Sequence, residues 1–161
     1  PEALTRFRDD IAALRKRADF VVASNHWGLE QDVLAYQRVI AHAAIDAGAD
    51  LVMGHGPHVP LPVEIYNDKP IFYGLGSFSF ETGHWAMRHP DWIGMMVRLA
   101  VEDGALARAA FSFVRHNDAN ETIPRPLAAE REELETIKSL SSDYGTEFSE
   151  DGDDVVVWRK S

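Results

Sequence analysis

The chain has 161 residues, 45% of them apolar and 26% charged, which is enough for one buried core and excludes a disordered or fibrous chain. Lysine and arginine number 16 against 26 aspartates and glutamates, and the resulting formal charge of -10 disfavours nucleic acid and anionic lipid as partners unless a cation intervenes. Cysteine is absent, so disulfides, thiolate zinc sites and cysteine nucleophiles are excluded and the redox compartment stays open.

Along the chain, Leu4, Phe7, Ile11 and Leu14 recur at helical spacing and predict an amphipathic helix from Leu4 to Arg17. The apolar run Asp19–Ser24 predicts a buried strand. Helical spacing returns from Asp32 to Ala47, with Val33, Tyr36, Val39, Ile40 and Ala43 on one face and Gly48 in the place of a cap. Asp50–Met53 predicts a second strand. This order is that of a βαβ unit with two parallel strands, whose far ends share the edge at which open α/β sheets hold ligands. Beyond it, Val63–Tyr66 and Ile71–Tyr73 flank the turn-rich Asn67-Asp68-Lys69-Pro70 and predict a hairpin. A second hairpin joins Met95–Val101 to Ala105–Val114 through Asp103-Gly104. An acidic helix is expected over Leu127–Leu140, loop over Ser141–Asp154, and a last strand at Val155–Trp158. No apolar run approaches the ~18 residues of a membrane-crossing helix, and Pro1–Arg6 lacks the form of a secretory leader. Methionine does not stand first, so the chain is expected to begin inside a longer polypeptide.

Histidines mark the strand ends: His26 follows the first strand in Ser24-Asn25-His26-Trp27-Gly28, and His55 and His58 follow the second in Gly54-His55-Gly56-Pro57-His58. Shared placement on one edge predicts that the three imidazoles converge. Neutral imidazoles suit zinc, iron, manganese or nickel, and glycine-rich loops let ring nitrogens approach one ion. Oxygen donors are scarcer nearby. Asn25 offers an amide oxygen, or simply a bond to backbone. Glu30 offers a substrate contact or orientation of a histidine, or else is an acid in the first turn of a helix, and His26 or Glu30 is the candidate for proton transfer. Trp27 adjoins His26 and is the expected substrate contact. His42 is expected to be an ordinary helical residue, and His84, His89 and His116 solvated or structural. Phe78, Phe80 and Trp85 are expected to form core or pocket wall. Tyr73-Gly74-Leu75-Gly76-Ser77 lacks the Gly-Lys-Ser/Thr ending of a phosphate loop, and neither Ser77 nor Ser79 lies in a nucleophile elbow.

Three blocks, Asp19–Gly28, Gly48–Val59 and Pro70–Phe78, resemble in that order the C-terminal half of the CapA family of bacterial poly-γ-glutamate capsule biosynthesis proteins. The resemblance implies an α/β fold similar to the calcineurin-like metallophosphoesterases, two facing sheets flanked by helices, with a dinuclear metal site on the sheet edge. It implies one domain that is the C-terminal part of a longer one, with residues 1–58 carrying the βαβ unit and site loops and 59–161 the hairpins, acidic helix and tail. By the same resemblance His26 and His58 are metal ligands and Glu30 stands at an acidic position of the motif. Gly56 stands where many relatives have histidine, with His55 able to take over that role, and Ser77 replaces an asparagine. The cofactor implied is one or more divalent ions, with manganese, iron or zinc as candidates. The chain would act on, or handle, an anionic glutamate polymer or a phosphoester at the cell envelope, as a metal-dependent hydrolase or as a non-catalytic partner of the membrane synthase.

Overall fold

The computed structural model describes residues 2–29, 31–80 and 91–159, so Glu30, His84, Trp85 and His89 lie outside the described residues. In chain order the elements are α1 (Glu2–Arg15), β1 (Val22–His26), α2 (Ala35–Asp46), β2 (Leu51–His55), β3 (Val63–Tyr66), β4 (Lys69–Phe72), β5 (Ile93–Glu102), β6 (Ala105–His116), β7 (Thr122–Pro124), α3 (Arg131–Ser141), β8 (Ser149–Asp151) and β9 (Asp154–Arg159). They build an α/β sandwich of two sheets flanked by helices. The first sheet runs β1-β2-β4-β3 and the second β5-β6-β9-β8, with β7 alongside β6.

As expected of a βαβ unit, β1 and β2 are parallel, in the register Val22↔Leu51 through His26↔His55. β1 lies further along the chain than the apolar run suggests, because the ladder continues through Asn25 and His26 while Asp19 and Phe20 precede it. The Asp50 carboxylate fixes the entry end of this ladder. It is 4% exposed and accepts from Val21 N (2.9 Å), Arg15 Nη1 (2.5 Å) and Lys69 Nζ (2.8 Å), which ties α1, β1, β2 and β4 at one point.

Two apolar clusters fill the sandwich. One lies between the sheets around Leu51, Phe72, Met95, Phe111 and Phe113, and takes in Leu134 and Ile137 of α3. The other lies between the first sheet and helices α1 and α2, around Ile11, Ala41, Ala44, Val52, Ile71 and Tyr73. The buried face of α2 is rotated from the one its larger apolar residues mark: Tyr36 and Val39 are exposed, while Gln37, Ala41 and Ala44 are inside. Small side chains let the helix axis approach the sheet closely, and the Gln37 Oε1 accepts from Leu34 N (2.7 Å) at the helix start, three residues later than Asp32.

Both hairpins form. Asn67 (φ 48°) and Asp68 (φ 58°) make a two-residue turn of the primed type, as do Asp103 (φ 51°) and Gly104 (φ 74°). The first hairpin joins the βαβ sheet, since β4 is parallel to β2. Two short strands were not apparent in the sequence, β7 and β8. A length of 3 residues each hides the period-2 signal, and the wholly polar β8 is a hairpin edge of β9 within the stretch expected to be loop.

Gly54 sits where the two layers and the rim meet. A Cβ there would overlap the Tyr73 carbonyl oxygen and the Trp27 indole nitrogen. Gly54→Ala is therefore expected to destabilise the fold by about 3 kcal/mol, whereas Gly152→Ala, with open space around a positive φ, costs about 1 kcal/mol. Urea unfolding midpoints of the two variants check this; equal midpoints would contradict it.

Candidate functional site

Side chains alternate faces along β1 and β2, so Val22, Ser24 and His26 share the face turned toward the second sheet with Leu51, Met53 and His55. In-register pairing then puts His26 beside His55 at the carboxyl end of the first sheet. Ser24 Oγ lies 3.0 Å from His55 Nε2, and the direction of that hydroxyl sets which ring nitrogen carries the proton. Ser24, like Val22 and His26, is exposed, because β1 is the edge strand and no further strand pairs with it among the described residues. The rim is thus an open shelf carrying two imidazoles.

Burial, and secondarily the charge of His26, pushes the His55 pKa down. A neutral imidazole keeps a lone pair available, which is what ligation of a cation requires.

Trp27 is not on the shelf. It is 6% exposed, packed on the helix side of the sheet, and its Nε1 donates to Tyr73 O (2.8 Å). Its backbone clamps the second loop: Trp27 N donates to His55 O (2.7 Å), and its carbonyl lies where a Cβ on Gly56 would be. Gly56 has φ 129°, a conformation open essentially to glycine alone. A histidine at position 56 would collide with Trp27; the neighbouring imidazole, His55, is the last residue of β2. Alternation also puts Asn25 on the face opposite His26 and His55, with its Nδ2 buried and unpartnered.

His58 follows on the loop after β2. Its Nδ1 lies 3.0 Å from the Ser77 Oγ, and its ring packs on Phe80 (centroids 4.3 Å) and edge-on to Trp92 (5.2 Å). Ser77 is 3% exposed and fixes the ring orientation, as the outer partner of a ligating imidazole does. The structure brings His26 and His55 side by side. No group of three or more His, Cys, Asp or Glu among the described residues is arranged to hold a metal ion, so His58 does not close such a group with them. The two imidazoles fit part of a coordination sphere, whose remaining positions need other donors.

The other described histidines, His42 and His116, are held by structural contacts. His116 is 1% exposed, with its Nε2 donating to Phe78 O (3.2 Å). His42 is more than a plain helical residue, since its Nε2 lies 3.0 Å from both carboxylate oxygens of the buried Glu64. Neither Ser24 nor the Glu64 contact was identified from the sequence. Ser24 had a signal in its position two residues before His26, on the same strand face.

Comparison with known proteins places this rim in a family. The model of the bacterial capsule synthesis protein PGA_cap matches residues 1–82, half of the chain, including β1, β2, His26, His55 and His58. The chain belongs to this family. Relatives of this PGA_cap chain include the PGA biosynthesis protein CapA of Bacillus subtilis (strain 168), 35% identical over 136 residues, covering 83% of this chain and 34% of that protein. The capsule biosynthesis protein CapA of Bacillus anthracis is 46% identical over 68 residues, covering 41% of this chain and 16% of its own length. A probable polyglutamine synthesis accessory protein of Mycobacterium tuberculosis (strain ATCC 25618 / H37Rv) is 42% identical over 74 residues, covering 42% of this chain and 20% of its own. The PGA_cap chain therefore spans at most about a third of the length of these relatives.

The depressed His55 pKa has a sign that can be checked. An imidazole more acidic in the fold than in the unfolded chain stabilises the fold above the ordinary value of 6.5, and that contribution is lost as pH falls through the lower folded value. An NMR titration is expected to give a His55 midpoint below 6.5. His26→Gln should raise it only partway, since burial is the larger cause. A midpoint at or above 6.5 in the wild type would contradict this geometry.

Proposed function

We propose that the rim holds a divalent cation, manganese, iron or zinc, and that the chain serves poly-γ-glutamate capsule biosynthesis by presenting that cation to an anionic polymer or a phosphoester. The observation that carries this reading is the in-register pair His26 and His55 on an exposed strand end, with His55 held neutral. Names of the relatives, capsule and PGA biosynthesis protein and polyglutamine synthesis accessory protein, support the biological role.

The charge of the chain supports it from another side. At -10, the protein repels a polyglutamate or phosphate anion except where a local positive charge outweighs the global field. A bound cation supplies that charge and, in a hydrolase, lowers the pKa of a bound water and polarises the bond to be cleaved. This chain's residues would then work around it. His26 and His55 donate ring nitrogens, Ser24 fixes the tautomer of His55, and His58, oriented by Ser77, is the third imidazole. Glu30, at the acidic position of the motif, is the proposed group for proton transfer or substrate contact.

A second reading has its own observation. Two adjacent imidazoles without a carboxylate, among the described residues, make a sparse ligand set. Such a site suits a non-catalytic component that binds or escorts the polymer, or contacts the synthase at the envelope. No helix among the described residues is long and apolar enough to cross a membrane.

Equilibrium dialysis against Mn²⁺, followed by elemental analysis, tests the site. His26→Ala and His55→Ala should each weaken binding by more than about tenfold, and His58→Ala by a smaller factor. Undiminished binding in the first two removes the proposal. Titration calorimetry with poly-γ-glutamate then tests the role: binding is expected with Mn²⁺ present and should vanish on adding EDTA. Hydrolysis of a phosphoester or of the polymer by the metal-loaded protein distinguishes the enzyme from the escort.

A further inference from the structure

On the helix side of the first sheet, on the edge strand β3 at the far side from β1, a carboxylate is buried. Glu64 is 6% exposed. His42 Nε2 lies 3.0 Å from each of its oxygens, and the fully buried Tyr73 donates its phenol hydroxyl to Oε2. His42 is in turn stacked on Tyr66, with ring centroids 3.8 Å apart and planes within 3°. Arg38 lies over the Tyr144 ring at 5.2 Å and makes no ion pair with this carboxylate. Burial, reinforced by Glu64, pushes the Tyr73 phenol far above its ordinary pKa, so it remains a donor.

A buried ionisable group of this kind is costly compared with an apolar side chain of the same size, and its cross-strand partner in this layer, Ile71, is apolar. What distinguishes it is where its bonds lead. Tyr73 is held at both ends: its hydroxyl on Glu64 and its carbonyl oxygen on the Trp27 indole N–H at 2.8 Å. Trp27 stacks on the Tyr73 ring, with centroids 6.2 Å apart, and its main chain binds His55 O and abuts Gly56. Since Trp27 follows His26 directly, it joins both rim loops.

We propose that Glu64 is a positioning residue: with His42 and Tyr73 it fixes the place of Trp27, and through Trp27 the spacing of the rim that carries His26 and His55. The consequence for affinity rests on the reading of the rim as a metal site, while the consequence for Trp27 does not.

The experiment uses the full chain and three substitutions, Glu64→Gln, Tyr73→Phe and Ser141→Ala. Ser141 is also fully buried and its hydroxyl accepts from Val63 N (3.0 Å), so its loss perturbs β3 one residue from Glu64 without touching Trp27. Two quantities are read beside the urea midpoint: hydrogen exchange of the Trp27 indole N–H, and the dissociation constant for Mn²⁺. Glu64→Gln and Tyr73→Phe should each speed indole exchange and weaken Mn²⁺ binding by about tenfold, whereas Ser141→Ala should change neither, even at an equal loss of stability. Unchanged indole exchange in both variants overturns the inference, as does an effect of Ser141→Ala as large as theirs. Should either variant fail to fold, His42→Ala, at a half-buried position, is expected to act in the same direction with a smaller effect, and no effect from it counts against the inference. If the wild type binds no Mn²⁺, the metal reading falls and indole exchange still decides the role of Glu64.

Discussion

The parallel register of β1 on β2 is the constraint from which the site follows. Had the strands slipped by one residue, His26 would face Gly54 and the two imidazoles would lie on opposite sides of the sheet. That register is pinned at both ends by polar contacts. At the entry end the buried Asp50 carboxylate gathers the Val21 amide, Arg15 and Lys69. At the exit end Trp27 binds His55 O with its amide and Tyr73 O with its indole. Between these anchors the apolar faces of Ala23, Leu51 and Val52 supply burial, which is non-directional and sets no register within one face.

Much of this could be read from the chain. Short apolar runs alternating with helical spacing placed α1, β1, α2 and β2, and Asn67-Asp68 and Asp103-Gly104 placed both hairpins, because turn chemistry and hydrophobic period are local properties. The meeting of His26 and His55 followed from strand-end placement alone. What escaped were features decided by distant partners. The inward face of α2 is set by close packing of Ala41 and Ala44 and not by its largest apolar residues. Trp27 looked like a ligand contact beside His26, yet its indole is claimed by a carbonyl 46 residues away. Glu64 read as one acidic residue in a strand, and only the fold brings His42, 22 residues away, onto it.

Gly56 shows how local backbone limits what the rim can carry. Its φ of 129° and the Trp27 carbonyl against it leave no room for a side chain there. His55, one residue earlier, lies inside the strand in register with His26. The same rim stays open along β1, whose outer edge and residues Val22, Ser24 and His26 remain uncovered among the described residues.

The most direct measurement of the central claim is paramagnetic broadening of NMR signals by substoichiometric Mn²⁺. If the cation sits on the rim, resonances of Ser24, His26 and His55 broaden first, while those of α1 and of the acidic hairpin around Asp151–Asp154 stay sharp. Broadening that begins at the acidic hairpin and leaves the two imidazoles untouched would contradict the account.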